Sequence, residues 1–444
     1  MFADRLESMI QTIDLRGTPK TPAALLAAVP RALTSVTSAT DIAAELIDDV
    51  RARGKVALLD QAERLDRVRP EQVRVPDSDF ADAVAELDPA VRAAVEETIR
   101  RVRLASAAQV PPMVTTTVDA GATITQRWQP VNRVGLYVPA GKAVYPSSVV
   151  MNVVPAQIAG VSSIALASPP QSRFGGRVHP TILAVAALLG VDEVYAMGGA
   201  GAIGALAYGV PDLGLEPVQI VTGPGNVYVA AAKRLVRGQA GIDSEAGPTD
   251  ILVIADETAD PLLVAADLVS QAEHDELAAA VLVTDSVALA DAVSARLGVL
   301  AASTTHSERV TAALTGTQSA IVLVDDLLVA AGFSNAFGPE HLEIQTREPE
   351  VVLASIHNAG AIFLGAHSPV SLGDYSAGSN HVLPTGGQSR FSSALGAYTF
   401  LRPQQIVTYS REALRAVSAN IAAFSDAENL PAHGDAVTAR FAQD

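Results

Sequence analysis

Cysteine is absent from this chain of 444 residues. Its absence excludes disulfide bonds, thiolate metal ligands and thiol nucleophiles together. Any bound metal ion must therefore be held by His, Asp, Glu or Gln side chains or by water. Aromatic residues are also scarce, at 4%, whereas hydrophobic residues reach 49% and are mostly Ala, Val, Leu and Ile. This balance is typical of an α/β protein with many buried aliphatic strands.

Basic residues are too few to balance the acidic ones. The 31 Lys and Arg residues against 48 Asp and Glu residues give a net charge of −17, which repels phosphate backbones and argues against a nucleic-acid partner. No apolar run reaches the roughly 18 residues of a membrane span, and residues 1–14 lack the basic-then-apolar order of a signal peptide. We therefore expect a cytoplasmic protein that does not engage a membrane.

Hydrophobic periodicity divides the chain into regions. Residues 1–20 look like an arm, helical spacing predicts helices at 41–62 and 77–107, and the β-branched segment 114–128 predicts a hairpin. Two series of apolar strands alternate with helices, the first at 133–138, 163–167, 193–196 and 218–222, the second at 250–255, 279–284, 320–324 and 361–364. Such alternation is the signature of βαβ units. We predict an α/β fold of two doubly wound, Rossmann-like modules with parallel sheets, plus a helical N-terminal region and a small helical C-terminal tail.

The segment 337–343, with the sequence FGPEHLE, is the most informative short motif. It places the carboxylate of Glu340 beside the imidazole of His341, after a Gly-Pro corner that bars a regular helix from running through. Neighbouring residues on a turn can point into one pocket, so an acid and a base can share a substrate. A surface loop with two polar residues is the alternative.

A metal site is a second hypothesis. Gln271 and His274 are three residues apart near the end of a helix that Asp260 can cap, so they share one face of that helix. Asp374, in the polar loop 373–381, could complete a set of nitrogen and oxygen ligands that suits zinc or a similar divalent ion. A solvated helix end and a turn-rich surface loop are the alternatives, and His433 in the tail reads as a surface residue.

Three glycine-rich turns follow strands. The turn at 223–226 (GPGN) precedes a helix and can present backbone N–H groups to an anion, and the turn at 135–141 carries Tyr137, which could stack on a ligand. A literal GxGxxG occupies 199–204, but the next strand ends without the acidic residue that would hold a ribose. The dinucleotide fingerprint is therefore incomplete, and plain tight turns remain an alternative for all three.

Taken in chain order, these segments resemble the histidinol dehydrogenase family, the zinc- and NAD-dependent enzymes of the last step of histidine biosynthesis. The matching segments are 135–141, 198–199, 223–226, 246–249, 270–274, 337–343, 373–387 and 428–433. They extend from residue 135 to residue 433 in the right order, and together they are specific although no single one is.

The resemblance implies roles for individual residues. Glu340 and His341 would carry the acid–base chemistry. Zinc, one ion per subunit, would be held by Gln271, His274, Asp374 and His433, the last donated by the other subunit of a homodimer. The substrate L-histidinol would contact these residues and three more, which are Thr249, His381 and Glu428. Tyr137, Gly201 and Asn226 would lie at the NAD site, although many family members have Gln where this chain has Gly201, so one cofactor hydrogen bond is expected to be missing or replaced.

The resemblance also implies a division of labour along the chain. Residues 1–20 would be an N-terminal arm, 131–249 the NAD-binding module, and 383–444 a tail packing on the partner subunit. Residues 21–130 and 250–382 would form a discontinuous substrate- and metal-binding module. The reaction would oxidise histidinol through the aldehyde to histidine, and without cysteine the aldehyde step would use a hydrate. A dehydrogenase of the same fold acting on another amino or hydroxy alcohol, and a non-catalytic metal- or nucleotide-binding module, are the alternatives.

Overall fold

The computed structural model describes residues 9–30, 36–140, 143–245 and 247–442. Gly141, Ala246, residues 1–8 of the proposed arm and the last two residues of the proposed tail lie outside them. The strands of the described residues are, in chain order, β1 (Gln11–Asp14), β2 (Val114–Asp119), β3 (Ala122–Pro130), β4 (Arg133–Tyr137), β5 (Ser163–Ser168), β6 (Val194–Ala196), β7 (Ile220–Thr222), β8 (Gly241–Ile242), β9 (Asp250–Ala255), β10 (Ala279–Thr284), β11 (Ala320–Leu323), β12 (His341–Gln345), β13 (Ala361–Leu364) and β14 (Leu401–Tyr409).

Helices connect most of these strands. Those of the described residues are α1 (Pro22–Ala27), α2 (Val36–Arg53), α3 (Lys55–Gln61), α4 (Asp77–Ala85), α5 (Pro89–Ala107), α6 (Pro146–Ala159), α7 (Pro180–Leu188), α8 (Gly199–Tyr208), α9 (Val227–Val236), α10 (Pro261–Ala272), α11 (Val287–Ser303), α12 (Ser307–Thr315), α13 (Leu327–Phe337), α14 (Pro349–Leu353), α15 (Val370–Tyr375), α16 (Arg411–Ala427) and α17 (Pro431–Thr438). A π-helical turn, Ala62–Asp66, follows α3. Within this described part of the chain, no helix combines the length and apolar character that crossing a bilayer requires.

The larger sheet has six parallel strands in the order β1-β11-β10-β9-β12-β13. After β1 at one edge, the chain enters the middle of this sheet at β9, winds outward through β10 and β11, and then returns to the other side of β9 as β12. Every residue of β9 and β10 is buried, because helices cover both faces. This double cover explains why these strands are continuous apolar runs rather than alternating ones.

The smaller sheet repeats the same winding with five parallel strands, in the order β6-β5-β4-β7-β8. Its two faces are also covered, by α6 and α7 on one side and by α8 and α9 on the other. The prediction of two doubly wound α/β modules with parallel sheets is therefore confirmed.

The packing of the N-terminal helices corrects the proposed grouping of residues 21–130 with the larger sheet. Helix α2 packs on α8 and α9, α4 on α7, and α5 on α6, so these helices belong with the smaller sheet. Phe80 and Ile99 lie in the same core as Leu136 of β4. Among the described N-terminal helices, α1 packs on α13 and thereby joins the larger sheet. Amphipathic spacing shows that one helix face is buried, but it does not reveal which of two cores covers that face.

Two segments predicted as peripheral are part of sheets. The proposed N-terminal arm supplies β1, which pairs with β11 at the edge of the larger sheet. The predicted hairpin of β2 and β3 is confirmed, and β14 pairs antiparallel with β3 to make a third sheet. Before β14, Leu395 and Phe400 lie in the core of the smaller sheet, so the first part of the proposed tail packs within its own subunit.

Candidate active site

The acid–base pair lies where β9 and β12 begin. These strands are parallel neighbours with His341 opposite Ile251, so the preceding residues, Asp250 and Glu340, also face each other. The Glu340 N–H donates to Asp250 Oδ1 at 2.7 Å, and the Asp250 N–H donates to Glu340 Oε2 at 3.0 Å. Two residues before Glu340, Gly338 ends α13 in the left-handed conformation, with φ of 63°. The helix therefore stops at the Gly-Pro corner, as we predicted from the sequence.

Thr249 connects Glu340 to the predicted metal ligand Gln271. Its Oγ1 donates to Glu340 Oε2 at 2.5 Å and accepts from Gln271 Nε2 at 2.6 Å. Gln271 is buried, and its Oε1 has no hydrogen-bond partner. A buried carbonyl oxygen without a partner is costly unless a ligand satisfies it. Gln271 Oε1 is thus fixed in orientation and free to bind a cation.

His341 is held in one tautomer. Its Nδ1 lies 3.1 Å from the backbone oxygen of Asp250, and a carbonyl oxygen can only accept, so Nδ1 carries the proton. The other nitrogen, Nε2, then has a free lone pair. Burial lowers the pKa of His341, although the charge of Asp374 opposes that effect. The ring is therefore a neutral base near neutral pH.

Glu340 is a carboxyl group whose pKa is raised to about 7, chiefly because it is buried. Burial, together with the repulsion of Glu340, likewise raises the pKa of Asp250 to about 7. Both bonds that Glu340 accepts reach Oε2, which leaves Oε1 without either of them. A carboxylate with a pKa near 7 and a free oxygen is suited to remove a proton from water near neutral pH.

Three further predicted residues lie beside this pair. His274 directs Nδ1 at the backbone oxygens of Ser270 and Gln271, both at 3.2 Å, which leaves its Nε2 free. The Nδ1 of His381 donates to the backbone oxygen of Asp374 at 3.0 Å. The charges of His274 and Asp374 both act on the pKa of Glu340. The structure thus brings together the sequence-predicted residues Thr249, Gln271, His274, Glu340, His341, Asp374 and His381.

Sequence reasoning missed two residues of this cluster. Asp250 contacts both members of the acid–base pair through its side chain and backbone, and its Oδ2 also accepts from Gly386 N at 3.3 Å. A charged residue opening an otherwise aliphatic buried strand was the signal that could have found it. Ser148 of α6 reaches His381 Nε2 at 3.1 Å from the other module, and nothing local in the sequence marks it.

The cofactor candidates lie at the carboxyl ends of β4 and β7. These are the neighbouring strands at which the smaller sheet reverses its winding, the usual position of a ligand crevice in such sheets. Tyr137 ends β4, and its hydroxyl accepts from Gly199 N at 3.1 Å. Asn226 follows β7 and caps α9, because its Oδ1 accepts from the N–H groups of Tyr228 and Val229 at 3.1 and 3.2 Å.

The turn before Asn226 is rigidly held. Gly223 has φ of 118°, and a Cβ there would lie 2.0 Å from the Tyr137 backbone oxygen. Its N–H donates to Asp243 Oδ2 at 2.9 Å and its carbonyl accepts from Lys233 Nζ at 3.0 Å, while Lys233 and Asp243 form a buried ion pair. Such bracing fixes where the backbone groups of this turn point.

Gly201, at which the resemblance led us to expect Gln, packs against α3. A Cβ at this position would lie 2.0 Å from Gln61 Oε1, so the amide of Gln61 occupies the space that a side chain at 201 would need. Gln61 is buried, and its Oε1 has no hydrogen-bond partner. The side-chain amide of Gln61 on α3 thus lies where the side chain of the expected Gln at position 201 would begin.

Comparison with known proteins gives one consistent result. The sequence model of the histidinol dehydrogenase family matches residues 29–441. The histidinol dehydrogenase of Leifsonia xyli subsp. xyli is 68% identical over 97% of this chain and 99% of its own length. That of Thermobifida fusca is 58% identical, covering 98% of both chains. The crystal structure of histidinol dehydrogenase from Elizabethkingia anophelis superposes with a TM-score of 0.92 at 29% identity, covering 98% of each chain.

This chain belongs to the histidinol dehydrogenase family. Its predicted site residues Glu428 and His433 require separate description, because they lie at the corner between α16 and α17. There they line a pocket of about 220 Å³ with Asn420, Ile421, Phe424 and Ser425. Among the described residues, no hydrogen bond or ion pair joins either side chain to the cluster around Glu340. Within one subunit, the structure does not bring these two residues to the site of the histidinol dehydrogenase motifs.

The donors in one subunit fit part of a zinc site. Gln271 Oε1 has no hydrogen-bond partner, His274 turns Nδ1 to backbone oxygens and so leaves Nε2 for a ligand, and Asp374 supplies a carboxylate, so the set consists of nitrogen and oxygen donors. Within the described ranges, no three His, Asp or Glu side chains are grouped closely enough to hold a metal. The single-subunit set therefore fits a divalent ion but lacks one donor of the four that zinc prefers.

Proposed function

We propose that this chain oxidises L-histidinol to L-histidinal and then to L-histidine, reducing two molecules of NAD, as the last step of histidine biosynthesis. The observation that carries the proposal is the bonded group of Glu340, Thr249 and Gln271 beside the neutral His341, in a member of the histidinol dehydrogenase family. Together these residues supply a base in His341, a carboxylate that can activate water in Glu340, and a carbonyl oxygen of Gln271 that can bind a metal ion.

His341 acts as the base of the alcohol oxidation. Its Nε2 takes the hydroxyl proton while the carbon gives up a hydride to NAD. The bond from Nδ1 to the Asp250 backbone oxygen keeps the ring oriented and stabilises the imidazolium that forms. Burial lowers the pKa of His341, so the ring begins the step without a proton.

Glu340 acts in the aldehyde oxidation. Its free Oε1 removes a proton from water as the water oxygen adds to the aldehyde carbon, and the His341 imidazolium left by the first step gives its proton to the carbonyl oxygen, which yields the hydrate and a neutral His341. His341 then takes the hydroxyl proton of the hydrate, the carbon gives up a second hydride to NAD, and the acid forms. With no cysteine in the chain, this route needs no covalent bond between enzyme and aldehyde.

Zinc is the proposed metal, held by Gln271, His274, Asp374 and the partner's His433. When bound, zinc would orient the substrate by binding the imidazole and the amine of histidinol. Secondarily, it would polarise the carbonyl group of the aldehyde. The side chain of Thr249 sets the direction of the Gln271 amide, and the helix carbonyls set the ring of His274. These hydrogen bonds therefore orient Gln271 Oε1 and His274 Nε2 in the metal-free protein.

A homodimer with shared active sites supplies the missing donor. His433 is exposed on the α16–α17 corner, beside the exposed Phe424 (71% accessible) and Leu430 (44%). The sheet of β2, β3 and β14 also exposes apolar side chains, among them Val114 and Val407. Exposed apolar side chains on β14 and on α16, which follows it in the chain, favour burial against a second copy. Glu428 would then contact the substrate of the partner subunit.

The remaining roles are those that the family resemblance implies, and we propose them for the same residues. Thr249 and His381 line the substrate side of the cluster, and Tyr137 and Asn226 line the NAD side. At position 201 the lost amide contact to NAD is replaced by Gln61, whose Oε1 already lies in that space.

The test counts NADH formed per molecule of histidinol supplied, before and after removal of metal with a chelator. We expect two NADH per histidinol, loss of activity after chelation and its recovery when zinc is restored. One NADH per histidinol would show that this protein does not oxidise the aldehyde. Activity that survives complete metal removal would show that zinc is not required. Absence of NADH with histidinol, together with NADH from another amino alcohol, would show that the substrate is a different alcohol.

A further inference from the structure

Glu343 is the last residue of the 337–343 motif, and the proposed reaction does not use it. It lies two residues after His341 on β12, so both side chains leave the same face of the strand. Only 1% of Glu343 is accessible. Burying a carboxyl group is costly unless hydrogen-bond partners compensate for the lost water, so the partners of Glu343 show what it does here.

Its partners come from two helices. Glu343 Oε1 accepts from the Val370 N–H at 2.9 Å, at the start of α15. On the other side, Glu343 is hydrogen-bonded to the carboxyl group of Asp267 on α10. Gln345 completes the group, because its Nε2 donates to Asp267 Oδ2 at 3.0 Å and to Glu343 Oε2 at 2.9 Å. We refer to Glu343, Asp267, Gln345 and the Val370 N–H as the carboxyl junction.

The two carboxyl groups of the junction can lie together only if they share a proton, since two buried charges of one sign repel. Burial and the neighbouring Asp267 raise the pKa of Glu343 to about 8. Glu343 is therefore the protonated member and donates to Asp267, which is less buried and keeps its charge.

Both helices of the junction carry proposed metal ligands. Asp267 lies one helical turn before Gln271 on the same side of α10, and His274 follows directly after the end of that helix. Val370 begins α15, whose next turn contains Asp374. The strand between them, β12, carries the acid–base pair at its other end. One buried group thus links β12 to both helices that must meet at the ion.

We propose that Glu343, acting with Asp267, is a positioning residue that sets the separation between the ligands at the C-terminal end of α10 and the ligand on α15, and thereby the affinity of the site for zinc. This inference depends on the proposed metal site. Without the junction, α10 and α15 keep their own packing but lose the shared bond that fixes their spacing.

The experiment measures the zinc affinity of the metal-free, full-length protein by competition with a chromophoric chelator at pH 7. Glu343→Ala should bind zinc about tenfold more weakly than the parent, the usual effect of losing an outer partner of a metal site. Glu343→Gln should recover most of that loss, because its amide oxygen can accept from Val370 and its NH₂ can donate to Asp267. Asp267→Ala, at a more accessible position, should weaken binding in the same direction and replaces Glu343→Ala if that variant does not fold.

Val283→Ala is the matched control. Val283 is buried on β10, but it faces α13 on the opposite side of the larger sheet, so its truncation lowers stability without touching the junction. It should leave zinc affinity at the parent value. An equal weakening by Val283→Ala, or parent affinity in both Glu343→Ala and Asp267→Ala, would overturn the positioning role. A parent protein that binds no zinc would overturn the metal site itself, which distinguishes that failure from the failure of this inference.

Discussion

Replacing Thr249 by Val tests whether one hydroxyl organises the active site. The change keeps the branched shape of the side chain but removes Oγ1, which donates to Glu340 at 2.5 Å and accepts from Gln271 at 2.6 Å. In the variant the Gln271 amide becomes a buried donor without a partner. Glu340 keeps only the bond from the Asp250 N–H at its Oε2.

The magnitude follows from these two losses. A lost bond to a carboxyl group and an unsatisfied buried donor each cost about 1 to 3 kcal/mol. Because Glu340 retains one donor, we expect the free energy of unfolding to fall by about 3 kcal/mol in total. Thr249→Ser keeps the hydroxyl and loses one methyl group, so it should lose about 1 kcal/mol or less.

The assay is urea unfolding of the metal-free parent and both variants, followed by circular dichroism, since bound zinc would add its own stabilisation. Thr249→Val should unfold at clearly lower urea than Thr249→Ser. If the two variants unfold at the same urea concentration, the hydroxyl does not hold the network. The reasoning that Thr249 aims Gln271 and Glu340 would then be wrong.

Three other perturbations test the same site. Mixing Gln271→Ala chains with His433→Ala chains should restore part of the activity, because each heterodimer keeps one complete site; a fully active monomer would contradict sharing. His274→Asn should lose zinc and activity in parallel, and full zinc occupancy by elemental analysis would remove it from the ligands. In the parent, histidinal oxidation should rise with pH through about 7, the raised pKa of Glu340, since only the ionised carboxylate can take a proton from water. Glu340→Gln should lose that rise and slow histidinal oxidation more than histidinol oxidation, and a parent rate with histidinal would leave Glu340 no role in water activation.

Much of the fold was readable from local pattern. The runs that became β9 and β10 are aliphatic throughout, and the structure buries them on both faces. The start of α10 could also be predicted from neighbouring residues, because Asp260 is a helix-capping residue and Pro261 follows it. In the structure, the Asp260 side chain accepts from the Leu262 N–H at 2.8 Å. Strand β14 was not predicted, because its largely exposed segment becomes a strand only through pairing with β3.

The sequence by itself determined the chemistry that this protein can perform. It excluded thiol catalysis, predicted two doubly wound modules, and placed Glu340 beside His341 after a corner that ends a helix. The sequence also offered Gln271, His274 and Asp374 as candidate ligands, family resemblance added His433, and their roles remain predictions. These features are encoded over a few residues each, which is why one sequence suffices to read them.

Only the tertiary structure decided which of these residues meet. The pairing of β9 with β12 brings Asp250 to Glu340 although 90 positions separate them in the chain. The packing of α10 and α15 on β12 creates the carboxyl junction, and the contact between modules brings Ser148 to His381. Protonation states were decided there too, since burial raises the pKa of Glu340 and Glu343. Burial and long-range pairing are properties of the folded chain as a whole, so no local segment contains them.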